Sequence, residues 1–152
     1  MEDEFRRAAR VLLVDDRERV LLFHGFDSSA PSPYWFTPGG GLDPDESPAD
    51  GAARELAEET GLRVPPAALG APVHRETVRF RFDGRAFCQE QDFFLLRTPP
   101  LAVVTAGFDE VERRSIDAHR WWPLDELAAT TDVVYPEGLA GLVSRVLGEA
   151  RC

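Results

Sequence analysis

Cysteine, histidine and positive charge are all scarce in this chain of 152 residues. Its two cysteines, Cys88 and Cys152, provide neither a disulfide framework nor a zinc-ligand spacing, so we expect a reducing, cytoplasmic setting. Lys and Arg number 17 against 27 Asp and Glu, a net charge of -10. Nucleic-acid polymers and anionic membranes are bound by basic surfaces, and we therefore expect neither as a partner. No segment has the apolar length of a signal peptide or a membrane span.

The composition is that of a folded protein. Hydrophobic residues make up 43% of the chain and charged residues 29%, whereas disordered chains lack this apolar content. A chain of this length builds one sizeable core. We expect a single domain over residues 1–152.

The first half of the chain predicts a hairpin and then a helix. The apolar runs ARVLLVDD and RVLLFHG are joined by charged residues and indicate two buried, paired strands. A Ser-rich and Pro-rich stretch, FDSSAPSP, follows and predicts a surface loop. Ser47 as a cap, Pro48 at the first helical position and Gly61 as a terminator predict a helix over roughly 48 to 60.

The second half alternates strands and helices. VHRETVRFRF has the period of a strand, and Asp83-Gly84 predicts a tight turn that returns RAFCQEQDFFLL as its antiparallel partner. Residues 97–119 give no firm assignment. RWWPLDELAAT predicts a short strand leading into a helix near Pro123, and leucines and valines at helical spacing predict another helix near the C-terminus. This order indicates a mixed α/β domain with helices packed on a sheet.

The helix over 48–60 carries an unusual group of carboxylates. On a helical wheel Glu55, Glu58 and Glu59 span about 100° on one flank of a stripe of small residues. Like charges at these spacings repel, and one cation, Arg54, is insufficient to neutralise three anions. A divalent cation would do so, and a set of oxygen ligands favours Mg²⁺ or Mn²⁺ over zinc.

A solvated acidic face is the commoner explanation for such a group. Here the residues around the helix favour a site. Three consecutive glycines, 39–41, come just before the helix, and Gly51 lies within it. Glycine at these positions indicates that backbone approaches a ligand or the helix closely. Together these features point to a metal and phosphate site.

The stretch resembles the Nudix box. In that pattern a glycine is followed after five residues by Glu and after seven more by Arg-Glu, an aliphatic residue, any residue, Glu-Glu, any residue, Gly and an aliphatic residue. All spacings are kept, and the matching residues are Gly40, Glu46, Arg54, Glu55, Leu56, Glu58, Glu59, Gly61 and Leu62. The resemblance implies a Nudix α/β/α sandwich, in which a mixed sheet carries the box as a loop-helix-loop.

The resemblance also implies a role for each residue of the box. Glu58 and Glu59 would be the principal metal ligands, and Glu55 a further ligand or the base that activates water. Arg54 would orient the glutamates, and Gly40 would offer backbone to the metal or its surroundings. The cofactor implied is Mg²⁺, with Mn²⁺ as a substitute. Glu46 would support the loop or a second metal.

Residues outside the box supply further candidates. Family members often use one more acid or base, for which we predict Glu112 and then Glu110. Arg79 and Arg81 share a strand face and are candidates for gripping substrate phosphates, although exposed strand residues paired with local acids are the commoner case. Trp35 and Phe36 precede the glycines, and one of these rings is a candidate for stacking on a nucleobase, against the commoner fate of packing in the core.

The function implied is Mg²⁺-dependent hydrolysis of a diphosphate bond in a nucleoside diphosphate linked to another moiety. A (d)NTP, ADP-ribose or another nucleoside diphosphate sugar, and a dinucleoside polyphosphate are all candidates for this small-molecule substrate. One alternative is a Nudix module that senses nucleotides without turnover. A less favoured one is an isoprenoid diphosphate isomerase, which would need a catalytic Cys and a catalytic Glu beyond the box. Cys88 is the candidate for that cysteine. Related folds often form homodimers, so we hold a homodimer open.

Overall fold

The computed structural model describes residues 3–26, 32–82 and 84–150, and of Phe82 the backbone only. Within these residues the strands are β1 (Glu4–Val14), β2 (Arg19–Gly25), β3 (Tyr34–Phe36), β4 (Gly39–Gly41), β5 (His74–Phe82), β6 (Arg85–Arg97), β7 (Ile116–Pro123) and β8 (Val134–Tyr135). The helices are α1 (Pro48–Thr60), α2 (Glu110–Ser115), α3 (Leu124–Ala129) and α4 (Leu139–Ala150), with a 3₁₀ turn at Pro66–Leu69.

The described strands form one mixed sheet in the order β5-β6-β1-β2-β3-β8, with β4 paired to β1 and β7 to β2. The predicted hairpins β1-β2 and β5-β6 are confirmed as antiparallel pairs. The long strands β1 and β6 run parallel in unbroken register, from Glu4 opposite Phe87 to Val14 opposite Arg97. The sheet is therefore continuous beneath both helical layers.

Helices cover the sheet on both faces. On one face α1 packs through Ala52, Ala53 and Leu56 against the odd-numbered residues Ala9, Val11 and Leu13 of β1. On the other, α3 and α4 pack through Leu127, Val143 and Val146 against the even-numbered Leu12 and Val14. Alternate residues of a strand point to opposite faces, so β1 contributes to both cores. The predicted α/β/α sandwich is confirmed.

Helix α1 has the predicted bounds. The Ser47 hydroxyl accepts a hydrogen bond from the Asp50 amide at 3.1 Å, and Pro48 occupies the first turn. Gly61 ends the helix with φ 81°, a left-handed conformation that favours glycine. The stripe of small residues predicted for this helix is its buried face. Gly51 belongs to that face, and a Cβ atom there would collide with the side chain of Leu42.

The glycines at 39–41, which the loop-helix-loop of the box would place in its first loop, form strand β4, because their backbone pairs with Ala8, Ala9 and Arg10 of β1. The predicted surface loop falls largely outside the described residues, as do Asp83 of the predicted turn and Cys152. Within the described parts of the chain, the helices are too short or too polar to cross a bilayer.

Candidate active site

The glycine strand and helix α1 lie against each other and bring two carboxylates together. The Gly39 amide donates a hydrogen bond of 2.7 Å to Oε1 of Glu59, whose side chain is buried at 1% exposure. A Cβ atom on Gly40 would lie 2.8 Å from Oε1 of Glu55. Any other residue at position 40 would therefore push Glu55 away, which accounts for the glycine in the motif.

The loop that precedes α2 is anchored on α1 and leads to a third carboxylate. The Val104 amide donates to the Thr60 carbonyl at 2.9 Å, and a Cβ atom on Gly107 would lie 2.5 Å from the Glu58 carbonyl oxygen. Phe108 packs edge-on against Phe23 with ring centroids 5.6 Å apart. These contacts fix the loop on the C-terminal half of α1, directly before the short helix α2.

Helix α2 holds the predicted Glu112. The Asp109 carboxylate accepts from the Glu112 amide at 2.8 Å, and the Glu112 carboxylate accepts from the Asp109 amide at 3.0 Å. This reciprocal capping box fixes one oxygen of Glu112. The side chain then reaches the cluster, whereas Glu110 is exposed.

Glu55, Glu59 and Glu112 form a cluster in which one carboxylate oxygen from each lies within 4.8 Å of the others. Burial raises the pKa of Glu55 to about 7, with Arg54 opposing and Glu112 and Glu58 adding to the rise. Burial, hydrogen bonding to Glu112 and the charge of Glu55 raise the pKa of Glu59 well above its usual range. Three partly or fully buried carboxylates repel one another unless a cation joins them. Their oxygens are the hard donors that suit Mg²⁺ or Mn²⁺, so the residues present fit such an ion.

Arg54 of α1 forms hydrogen bonds with strand β4 and with Glu46 in the segment between β4 and α1. Its Nε and Nη2 each donate to Glu46 at 2.8 Å, Nη1 donates to Glu55 at 3.1 Å, and Nη2 donates to the Gly41 carbonyl at 3.2 Å. These bonds, the one to Glu46 above all, raise the pKa of Arg54. Arg54 thus has the geometry of the orienting residue that the resemblance implies.

Glu58 lies apart from the cluster found within the described residues. It is 42% exposed and accepts a hydrogen bond of 3.4 Å from Arg54. Its charge is near enough to raise the pKa of Glu55. Its role as a metal ligand stays a prediction.

The predicted substrate-binding residues have partners of their own in the structure. Arg79 is 76% exposed on edge strand β5 and pairs with Asp3, and Arg81 is exposed on the same face. Trp35 donates to Asp132 and packs edge-on against Trp122, and Phe36 packs against the α1-side core. All four stay predictions for substrate binding, although these contacts are those of surface ion pairs and core packing.

Two arginines near the site were missed from the sequence. Arg6 and Arg10 of β1 are partly buried, and Glu55 acts electrostatically on both. Arg10 Nη1 donates to the carbonyls of Thr37 at 3.2 Å and Gly39 at 3.1 Å, which fixes the start of the glycine strand. Their spacing of four residues in an alternating strand was the available signal, since it places both on one face.

Comparison with known proteins bears on this site. The family model described as NUDIX domain matches residues 4–139. The chain is 30% identical over 158 aligned positions to an RNA pyrophosphohydrolase of Pseudomonas putida (strain GB-1), covering 95% of this chain and 96% of that protein.

Two solved structures share the fold. The MutT protein from Methanosarcina mazei Go1 aligns with a TM-score of 0.66 at 19% identity, over 100% of this chain and 99% of that one. The dihydroneopterin triphosphate pyrophosphohydrolase of E. coli aligns with a TM-score of 0.65 at 19% identity, over 97% and 99%. With the complete motif of residues 40–62 and the family match over most of its length, the chain belongs to the Nudix family and is a Nudix hydrolase that acts on pyrophosphate bonds.

Proposed function

We propose that this protein is a Mg²⁺-dependent pyrophosphohydrolase that cleaves a diphosphate bond in a nucleoside diphosphate linked to another moiety, with Mn²⁺ as a substitute. The observation that carries the proposal is the approach of the Glu55, Glu59 and Glu112 carboxylates to within 4.8 Å of one another. Glu59 is buried at 1% exposure, where an unpaired negative charge is unfavourable, and a cation held between the three carboxylates would compensate the charge of the cluster.

The chain supplies the site as follows. Glu55, Glu59 and Glu112 would hold the cation, and Glu58, at the exposed side of α1, would add a ligand. A bound divalent cation neutralises phosphate charge and acidifies water. Arg54 orients Glu46 and Glu55, and the Gly39 amide orients Glu59. The alternative role for Glu55, as the base that activates water, stays a prediction.

A screen over nucleotides tests this proposal. Purified protein is incubated with nucleoside triphosphates, nucleoside diphosphate sugars and dinucleoside polyphosphates in Mg²⁺, Mn²⁺ or EDTA, and products are separated by chromatography. We expect diphosphate cleavage in Mg²⁺ that EDTA abolishes. Binding without cleavage across the panel would instead support the sensing alternative. Turnover of an isoprenoid diphosphate alone would support the isomerase, although none of the contacts described for the carboxylate cluster involves Cys88.

A second candidate substrate is the 5′ end of an RNA. The observation that favours it is the likeness, across 95% of the chain, to proteins described as RNA pyrophosphohydrolase. The net charge of -10 offers no general grip on a phosphate backbone, so only the terminal nucleotides would be held. We therefore expect a 5′-triphosphorylated dinucleotide and a 20-nucleotide RNA to be cleaved with similar kcat/KM. A strong preference for the longer RNA would contradict this limited contact, and cleavage of free nucleotides alone would remove RNA as a substrate.

A further inference from the structure

Among the described residues, helices α3 and α4 pack on only part of one face of the sheet. Helices α3 and α4 cover Leu12 and Val14 of β1 and Phe93 of β6. Because β1 and β6 pair in unbroken register, the same face continues toward the start of both strands. There it presents Arg6 and Arg10 of β1 beside two glutamines of β6. These are Gln89 and Gln91.

The two glutamines link the two arginines. Gln89 accepts a hydrogen bond from Nε of Arg6, and its amide donates to Oε1 of Gln91 at 2.8 Å. The same oxygen of Gln91 accepts from Nε of Arg10 at 3.5 Å. Both glutamines are buried, so the network holds two guanidinium groups on one patch of sheet.

This patch has an excess of positive charge. Within the described residues, no carboxylate lies within 4.0 Å of Arg6 or Arg10, and the Nη groups of Arg6 have no acceptor. Burial and then repulsion from Arg10 lower the pKa of Arg6 to about 10, with Glu55 acting in the opposite sense. The nearby negative charge is that of Glu55 and Glu59, which a cation at the cluster would cancel. With the cation bound, the two arginines no longer have a negative charge nearby among the described residues. Guanidinium groups pair best with phosphate or carboxylate, so the patch favours an anionic ligand.

Arg6 is also positioned beside the carboxylate cluster. A Cβ atom on Gly41 would lie 3.6 Å from Cζ and Nη1 of Arg6, whereas the preceding residue, Gly40, faces Glu55. Glu55 and Arg6 thus lie on the two sides of one strand that has no side chains. The guanidinium is 4.9 Å from the ring centroid of Phe87 and 5.8 Å from that of Phe80, and these two rings are stacked on each other. This packing fixes the guanidinium plane and uses neither Nη group as a donor to an acceptor in the described parts of the chain.

Building on the proposed function, we infer that Arg6 binds a substrate phosphate other than the two that flank the scissile bond. The preferred substrate is then a nucleoside triphosphate or longer polyphosphate, including a 5′-triphosphate end, rather than a nucleoside diphosphate sugar. The diphosphate under attack lies at the carboxylate cluster, and the additional phosphate crosses the edge of β4 to Arg6. Arg10 adds positive charge to this subsite. Its Nη1 already donates to the carbonyls of Thr37 and Gly39, so we assign the direct phosphate contact to Arg6.

Kinetics on a matched pair of substrates tests the inference. Wild type, Arg6→Gln, Arg6→Lys and Arg7→Gln are compared on a nucleoside triphosphate and a nucleoside diphosphate sugar with the same base. Arg7 is the control because it is the neighbouring arginine, exposed on the opposite face. We expect Arg6→Gln to raise KM for the triphosphate about tenfold or more and Arg6→Lys to recover part of this loss, since a charged hydrogen-bonding group is removed and then partly restored. Equal effects of Arg6→Gln on both substrates, or none on either, would overturn it.

A binding measurement separates this inference from the proposed function. The ligand is a methylene-bridged, non-hydrolysable nucleoside triphosphate in Mg²⁺, measured by calorimetry, with melting temperatures as the check on folding. If the protein cleaves nothing but Arg6→Gln weakens this binding about tenfold or more, the subsite stands and the hydrolase proposal fails. If wild type cleaves triphosphates and Arg6→Gln binds the analogue as tightly as wild type, the hydrolase proposal stands and the subsite fails.

Discussion

Glu59 is the residue on which the proposed metal site depends most. It is buried, and the Gly39 amide donates to it at 2.7 Å. Replacing it with Gln keeps the shape and an oxygen that accepts this hydrogen bond, and removes the charge that a cation requires. An uncharged group at this position also removes an unfavourable buried carboxylate. Activity and stability of the metal-free protein should therefore respond in opposite directions.

We expect Glu59→Gln to lower kcat by about a hundredfold or more, since charge stabilisation in a closed site contributes at least that much. In EDTA the variant should melt at or above the temperature of the wild type, and addition of Mg²⁺ should no longer raise it. Enzyme assays and thermal melts with and without Mg²⁺ measure both effects. The matched control is Glu149→Gln, at an exposed position of α4 paired with Arg145. Wild-type rates in Glu59→Gln would remove Glu59 from the metal site.

At the scale of elements, the loop that carries Glu112 depends on one glycine. Gly107 lies on the backbone of α1 at Glu58, where a Cβ atom would be 2.5 Å from the carbonyl oxygen and 2.9 Å from Cα. Those atoms belong to a helix backbone and have no freedom to move aside. Even a methyl group at position 107 must displace the loop, and with it α2 and Glu112.

Gly107→Ala should therefore reduce activity through Glu112 without touching a carboxylate. We expect kcat to fall about tenfold to a hundredfold, since a displacement near 1 Å at a reacting group has effects of this size. The control is Gly148→Ala in α4, where a Cβ atom would meet no atom within 4 Å. If the loop acts through Glu112, Glu112→Gln and the double variant should have similar rates. Additive losses in the double variant would show that Gly107 acts by another route.

The elements differ in how far sequence could predict them. Helix α1 was predicted with its bounds because Ser47, Pro48 and Gly61 are local signals that act within a few residues. The glycine segment was expected in a loop, because its pairing with β1 is non-local and leaves no local pattern. Helix α2 received no assignment, although its capping box, Asp109 with Glu112, is a local signal that was present.

The site was predicted in the same uneven way. The box carboxylates were identified together because one helix carries them, and Glu112 was selected from a charged segment that fold topology alone brings to α1. The placement of Arg6 beside Gly41 depends on the pairing of β1 with β4, and its contact with Gln89 depends on the pairing of β1 with β6, 83 residues further along the chain. Periodicity shows only that Arg6 and Arg10 share a face, and it does not show what that face adjoins.

At the scale of the whole molecule, the buried carboxylates make folding stability depend on pH and on the metal. The pKa of Glu55 is raised to about 7 and that of Glu59 well above its usual range, with burial as the first cause of both. The folded protein then binds protons that the unfolded chain, with ordinary glutamate pKa values, has released. Stability from this source is present at low pH and is lost as pH rises toward and through the folded-state pKa of Glu55.

In EDTA the melting temperature of the wild type should therefore fall between pH 5 and pH 8. Glu46 acts in the opposite direction, since its hydrogen bonds with Arg54 lower its pKa, but its effect is confined to more acidic solution. The difference between Glu55→Gln and wild type isolates the cluster: it should be near zero at pH 5 and grow in favour of the variant toward pH 8. Mg²⁺ should raise the wild-type melting temperature more at pH 8 than at pH 5, because protons and the cation compete for the same oxygens. Parallel melting curves for the two proteins across this range would mean that Glu55 is not desolvated in solution as it is in this structure, and a Mg²⁺ effect independent of pH would place the cation elsewhere.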